Sequence, residues 1–128
     1  MTEKNDTLVL TVALNFSGRE DIVAATRNIA KRIQEKSLEI HDIDSSLIAQ
    51  NLALSHIENE HQSPDLLIRT GGEKRISNFI LWHLAYTELH FADVYWPDFG
   101  RTNLLQALIE YSRRDRRFGA RTLNYENL

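Results

Sequence analysis

The sequence predicts an α/β fold in which a small, largely parallel sheet is flanked by helices. Three observations predict it. Short apolar, β-rich runs occur at residues 7–16, 66–68 and 88–94. Stretches with apolar residues at three- and four-residue spacing alternate with them. The 128 residues, 42% of them hydrophobic, suffice for one domain with its own core. Strands that alternate with helices favour parallel pairing in a layered architecture.

In residues 7–16, Leu8, Val9, Leu10, Val12, Ala13 and Leu14 are nearly continuous, the pattern of a strand covered on both faces, and Ser17 and Gly18 end it. From 19 to about 36, Ile22, Ala25, Ile29 and Ile33 mark one face of an amphipathic helix, with Glu20 and Asp21 in the first turn where the helix dipole favours carboxylates. Asp44 or Ser45 suits the N-cap of a short helix to about 54 that buries Leu47, Ile48 and Leu52. A polar loop over 55–64 precedes the second strand, and the Gly71-Gly72 turn leads from that strand into an expected helix over 77–86. Residues 88–94 alternate as a third strand, closed by Pro97. A last helix over 102–116 is expected to bury Leu104, Leu105, Leu108, Ile109 and Tyr111 on one stripe. It ends in a basic run that reaches Arg117, with Gly119 as a stop and residues 118–128 as an extended tail. Three strands leave sheet edges with unpaired backbone groups, so a partner is expected.

A net charge of −3 and a pI of about 5.9 argue against a chain held to nucleic acid by a global positive field. Any anion site must be local. The absence of cysteine excludes disulfides and Cys-based metal sites. No apolar run approaches the roughly 20 residues of a spanning helix, and no basic-then-apolar leader opens the chain. The expected location is cytoplasmic, with peripheral contact at a membrane face left open.

The chemistry concentrates in residues 65–99. Ligands of open α/β sheets bind beyond the carboxyl ends of strands, and Arg69 sits where the second strand runs out. Gly71 and Gly72 permit backbone conformations closed to other residues and leave room for a diphosphate to approach main-chain N–H groups. Arg69 and Arg75 bracket them with planar, permanently charged forks suited to phosphate, and Ser77 adds a hydroxyl at the expected helix N-terminus. Spacing by itself leaves a second reading equally open, a structural turn with Arg69 paired to Glu73 or Asp65. Neither a Walker loop nor a dinucleotide fingerprint is present. Glu73 could orient Arg75 or touch a metal. His83 and His90 lack the spacing of a metal pair on one element and read as solvated or hydrogen-bonded side chains. Phe79, Trp82, Tyr86 and Phe91 read as core or interface packing, and Asn78 as structural.

The full string Asp65-Leu-Leu-Ile-Arg-Thr-Gly-Gly-Glu-Lys-Arg-Ile-Ser-Asn-Phe79, with Trp82, Ala85-Tyr86, Glu88-Leu89 and Trp96-Pro97-Asp98-Phe99, resembles the C-terminal signature of the undecaprenyl diphosphate synthase family of cis-prenyltransferases. Residues 13–22 are similar to that family's Asn-Tyr-Gly-Gly-Arg segment, and Arg116-Arg117-Phe118-Gly119 extends the likeness downstream. The resemblance covers about residues 8 to 119. It implies an enzyme that ionises an allylic diphosphate and adds the C4 carbon of isopentenyl diphosphate, building a cis-polyprenyl diphosphate. It implies further that Arg69, Arg75 and Ser77, with Ile76 between them, hold the diphosphate of isopentenyl diphosphate, supported by Gly71, Gly72, Glu73 and Lys74. Glu88 would be the metal-associated glutamate for Mg2+. Arg117 and Gly119 match a tail motif that reaches a partner's substrate across a dimer; a solvated basic helix end is the other reading of that tail.

The family's Asp-Gly-Asn-Gly-Arg-Trp loop, which carries the catalytic aspartate, has no counterpart here. Residues 1–128 thus resemble a single partial domain, the C-terminal half of a cis-prenyltransferase, and carry no catalytic residue of their own. Inactivity of the isolated chain is expected, within a homo- or hetero-oligomer whose other chain supplies the missing half. A noncatalytic accessory partner of a complete synthase is the alternative. Lys74 stands where relatives often carry His, and Ser17 where they carry Gly.

Overall fold

The computed structural model describes residues 4–5, 7–57 and 63–116. Helix α1 (Gly18–Gln34) starts at Ser17, whose Oγ accepts from the Glu20 N–H at 3.3 Å, and it buries Ala25 and Ile29 from the predicted stripe. Helix α2 (Ser45–Gln50) is capped by Asp44, whose Oδ1 accepts from the Leu47 N–H at 2.7 Å. It is shorter than expected, and a 3-10 turn at Ala53–His56 follows. Leu52 lies between the two, 2% exposed, as the largest fully buried side chain. Two polar bonds join α1 to this segment: the Ala53 N–H donates to Asp21 Oδ1 at 2.9 Å, and Asn28 Nδ2 donates to Asn51 Oδ1 at 2.6 Å.

Strands β1 (Leu66–Arg69) and β2 (Glu88–Phe91) pair in parallel, in a register that runs from Leu66 opposite Glu88 to Arg69 opposite Phe91. Both are half-buried. A 3-10 turn at Trp96–Asp98 follows β2, and α3 (Arg101–Ser112) closes the described fold with Ala107 against the rest of the chain. The core comprises Ala25, Ile29, Leu52, Ile80, Ala92 and Ala107, with His83 among them. None of the described helices is long and apolar enough to cross a membrane.

Three expectations are corrected. Residues 7–16 form no strand: Leu8, Leu10 and Leu14 are 81%, 82% and 83% exposed, and no described segment supplies the backbone ladder that a strand needs, so the sheet has two strands. Residues 77–86 form successive turns rather than a helix. Ser77, Asn78 and Ile80 have φ of 47°, 66° and 31°, values that a right-handed helix cannot contain. On α3 the small Ala107 makes the close approach, while Leu104, Leu105, Leu108 and Ile109 stay 42%, 46%, 44% and 50% exposed for want of a facing layer.

Candidate functional site

Arg69 ends β1, and its carbonyl accepts from the Ala92 N–H at 2.8 Å, which fixes its backbone at the edge of the ladder. Its side chain turns back over the following loop, where Nη1 donates to Ser77 Oγ at 2.7 Å and to the carbonyl of Arg75. Arg69, Arg75 and Ser77 are therefore brought together, with the arginine bracing the loop that carries the other two. The remaining Arg69 nitrogens have no protein partner among the described residues. Neither Glu73 nor Asp65 pairs with Arg69: Glu73 is ion-paired with Arg75, and Asp65 with Arg116. Lys74 is exposed, so the loop offers Arg69, Lys74 and Arg75 against a single carboxylate, Glu73. Ile76 is half-buried beneath them.

Gly71 and Gly72 do adopt left-handed φ values, 89° and 75°. Their N–H groups, however, donate to the carbonyls of Val94 and Ala92 at 2.9 and 3.0 Å. They fasten the loop to the chain beyond β2 and are not offered to a ligand. Ser77 likewise gains nothing from a helix N-terminus, because no helix starts there. An anion at this loop would therefore be met by its side chains rather than by these N–H groups.

Asn78 is tied to the start of α1 through every polar group it has except its N–H. Its carbonyl accepts from the Gly18 N–H at 2.8 Å, Oδ1 accepts from the Arg19 N–H at 2.9 Å, and Nδ2 donates to Ser17 Oγ at 2.9 Å. These bonds join residues about sixty positions apart, and no local pattern in the sequence signals them. Phe79 meets Phe16 edge-on at 6.0 Å between ring centroids beside the same junction.

Glu88 lies at the other end of the ladder, opposite Leu66, about 10 Å along the strand from the level of Arg69. Arg114 Nη1 donates to Glu88 Oε2 at 2.7 Å and to the Leu89 carbonyl at 2.9 Å. Alongside, His90 Nδ1 is 2.9 Å from Glu110 Oε2, and Arg116 bonds Asp65 and, at 3.2 Å, the Tyr111 hydroxyl. The hydrogen bonds from Gln106 and then His90 hold the Glu110 carboxyl below its usual range, and the bond to Asp65 raises the Arg116 guanidinium above its own. Together these pairs hold α3 on the sheet. Among the described residues, no group of three or more His, Cys, Asp or Glu could hold a metal ion. With its carboxylate engaged by Arg114, Glu88 does not fit a Mg2+ site built from these residues. Arg117, Gly119 and the tail over 118–128 lie outside the described residues.

The family model for undecaprenyl diphosphate synthases matches residues 1–119. An isoprenyl transferase of Bacillus subtilis strain 168 is 49% identical over 118 residues, which cover 92% of this chain and 44% of the relative. Dehydrodolichyl diphosphate synthase 2 of Arabidopsis thaliana is 48% identical over 121 residues, covering 94% of this chain and 38% of the relative. Among solved structures, lavandulyl diphosphate synthase from Lavandula x intermedia, crystallised with dimethylallyl diphosphate, superimposes with a TM-score of 0.79 at 45% identity over 84% of this chain and 44% of that one. The chain thus spans less than half the length of these relatives.

Proposed function

The chain belongs to the undecaprenyl diphosphate synthase family of prenyltransferases, and on that premise we propose that it is the acceptor-binding part of a cis-prenyltransferase. In this reading Arg69 and Arg75, with the Ser77 hydroxyl, hold the diphosphate of isopentenyl diphosphate beyond the end of β1. The carrying observation is the convergence of the Arg69 guanidinium on Ser77 and on the backbone of Arg75.

The acceptor keeps its diphosphate through the condensation, so a rigid guanidinium clamp suits its role as a positioning device. The allylic site and the aspartate loop, which has no counterpart in these residues, belong to the rest of the fold, whether it is joined to this chain or carried by a different polypeptide. Mg2+ stands apart from this reading: Glu88 would have to leave Arg114 and join ligands from elsewhere, and no step depends on it. The site of action is the cytoplasm, with membrane contact made through the polyprenyl product.

The test is incubation with an allylic diphosphate, labelled isopentenyl diphosphate and Mg2+, first of the chain by itself and then with a polypeptide that contains the other half of the fold. Product formed only in the second case is the expected result. Product from the chain by itself would overturn the reading of these residues as the acceptor side alone. Failure in both cases, together with tight association to an intact synthase, would replace it with an accessory role.

A further inference from the structure

We infer that Asn78 is a positioning residue for the diphosphate clamp: by capping α1 it sets the place at which Ser77 meets Arg69. The inference rests on the assignment of Arg69, Arg75 and Ser77 as a diphosphate site. The first N–H groups of a helix have no intrahelical acceptor. In α1, two of these donors, on Gly18 and Arg19, are satisfied by the carbonyl and Oδ1 of Asn78 at 2.8 and 2.9 Å. Since the Arg19 N–H can only donate, the side-chain atom facing it is the oxygen, which leaves Nδ2 to donate to Ser17 Oγ at 2.9 Å.

The helix in turn fixes the loop. Asn78 has φ 66° and Ser77 φ 47°. Asparagine is among the few non-glycine residues that visit this region readily; serine is less suited, and such conformations persist only where the surroundings over-determine them. The over-determining contacts are the three bonds of Asn78, and the group they aim is the neighbouring Ser77 hydroxyl, 2.7 Å from Arg69 Nη1. There is no slack in the junction. A Cβ on Gly18 would lie 2.8 Å from the Asn78 carbonyl oxygen and 3.0 Å from the Leu81 nitrogen. A shift of α1 is therefore passed to residues 77 and 78 rather than absorbed, although no residue of α1 belongs to the clamp.

The test is calorimetric titration of the full chain with isopentenyl diphosphate, with the thermal midpoint of each variant recorded. The wild type is compared with Arg69→Ala, Asn78→Ala, Asn78→Gly and Ser17→Ala. Asn78→Ala is expected to weaken binding tenfold or more at temperatures well below its midpoint. Asn78→Gly, which keeps access to the left-handed backbone but loses the side-chain bonds, should fall between it and the wild type. Ser17→Ala should weaken binding several-fold by itself and add nothing in the Asn78→Ala background. A merely structural asparagine would lower the midpoint and leave the affinity of the folded chain within twofold of wild type, and that result would overturn the inference. Should Asn78→Ala fail to fold, Asn78→Gly and Ser17→Ala decide by the same criterion. Absence of binding to the wild type, or wild-type binding by Arg69→Ala, would instead overturn the clamp assignment itself.

Discussion

In the proposed clamp Arg69 would combine two tasks that a lysine could not share out in the same way. One nitrogen braces the loop at Arg75 and Ser77, and the rest of the planar fork remains available to an anion. A hydrogen bond to a charged group contributes about 1.5–3 kcal/mol, equivalent to roughly 10- to 100-fold in affinity. Arg69→Ala should therefore weaken isopentenyl diphosphate binding by at least tenfold and abolish any reconstituted transfer. Arg69→Lys should recover only a small part, since it keeps the charge without the fork. Unchanged affinity of Arg69→Ala in a calorimetric titration would remove the arginine from the site. The glycines separate as sharply. Gly18→Ala forces a methyl group against the backbone at Asn78 and Leu81 and should destabilise the fold by about 1–3 kcal/mol in urea denaturation. Gly100→Ala, where an added Cβ meets nothing within 4 Å, should cost less, about 0.5–1 kcal/mol, for the poorer N-cap that alanine makes for α3.

Helix α3 buries Ala107 and is tied to β2 by Glu110 with His90, while just beyond its end Arg114 with Glu88 and Arg116 with Asp65 fasten the following residues to the sheet. The carboxyl of Glu110 is held below its ordinary value of 4.5, so the folded state prefers it ionised. Its contribution to docking is complete above about pH 4.5 and is lost as the pH falls below 4.5 through the folded-state value. Amide exchange in α3, corrected for intrinsic rates, should therefore rise more than exchange in α1 as the pH falls below 4.5, and Glu110→Gln should remove most of that difference. Equal pH responses of the two helices would refute this. Glu88→Gln, on β2, removes the partner of Arg114: it should lower α3 protection and leave isopentenyl diphosphate affinity within twofold, because Glu88 sits at the far end of the ladder from Arg69. These anchors explain what could be read in the sequence. Helix α1 was legible because its first-turn carboxylates, Glu20 and Asp21, and its stripe at Ala25 and Ile29 are local signals. Residues 77–86 carry helix-like apolar spacing, yet their backbone is set by bonds from Asn78 to residues 17–19, which no window of sequence contains. The nearness of Arg69, Arg75 and Ser77 was legible as a motif. The donors of Gly71 and Gly72 were misassigned because their acceptors, Ala92 and Val94, lie twenty or more residues away.

At the scale of the whole molecule, exposed apolar side chains are concentrated in the first apolar run, residues 8–14. Leu8, Val9, Leu10, Val12 and Leu14 are each at least two-thirds exposed, and Val12, Ala13, Leu14 and Phe16 line, with Phe79 and Ile80, an open apolar cleft of about 430 Å³. Covering one such side chain contributes about 1.5–3 kcal/mol, so covering the whole run is comparable with the 5–15 kcal/mol that separates a typical domain from its unfolded state. Part of that gain is offset by the entropy of association. The remainder must appear as linkage between stability and partner concentration. A polypeptide that supplies the other half of the fold should therefore raise the thermal midpoint in proportion to the logarithm of its free concentration. It should also protect the amides of residues 8–14 from hydrogen exchange, because a run this apolar becomes a strand once a neighbour offers it a ladder. Exchange of those amides that stays fast at saturating partner, with binding verified independently, would mean that the partner docks elsewhere and that the first apolar run is not part of the completed sheet.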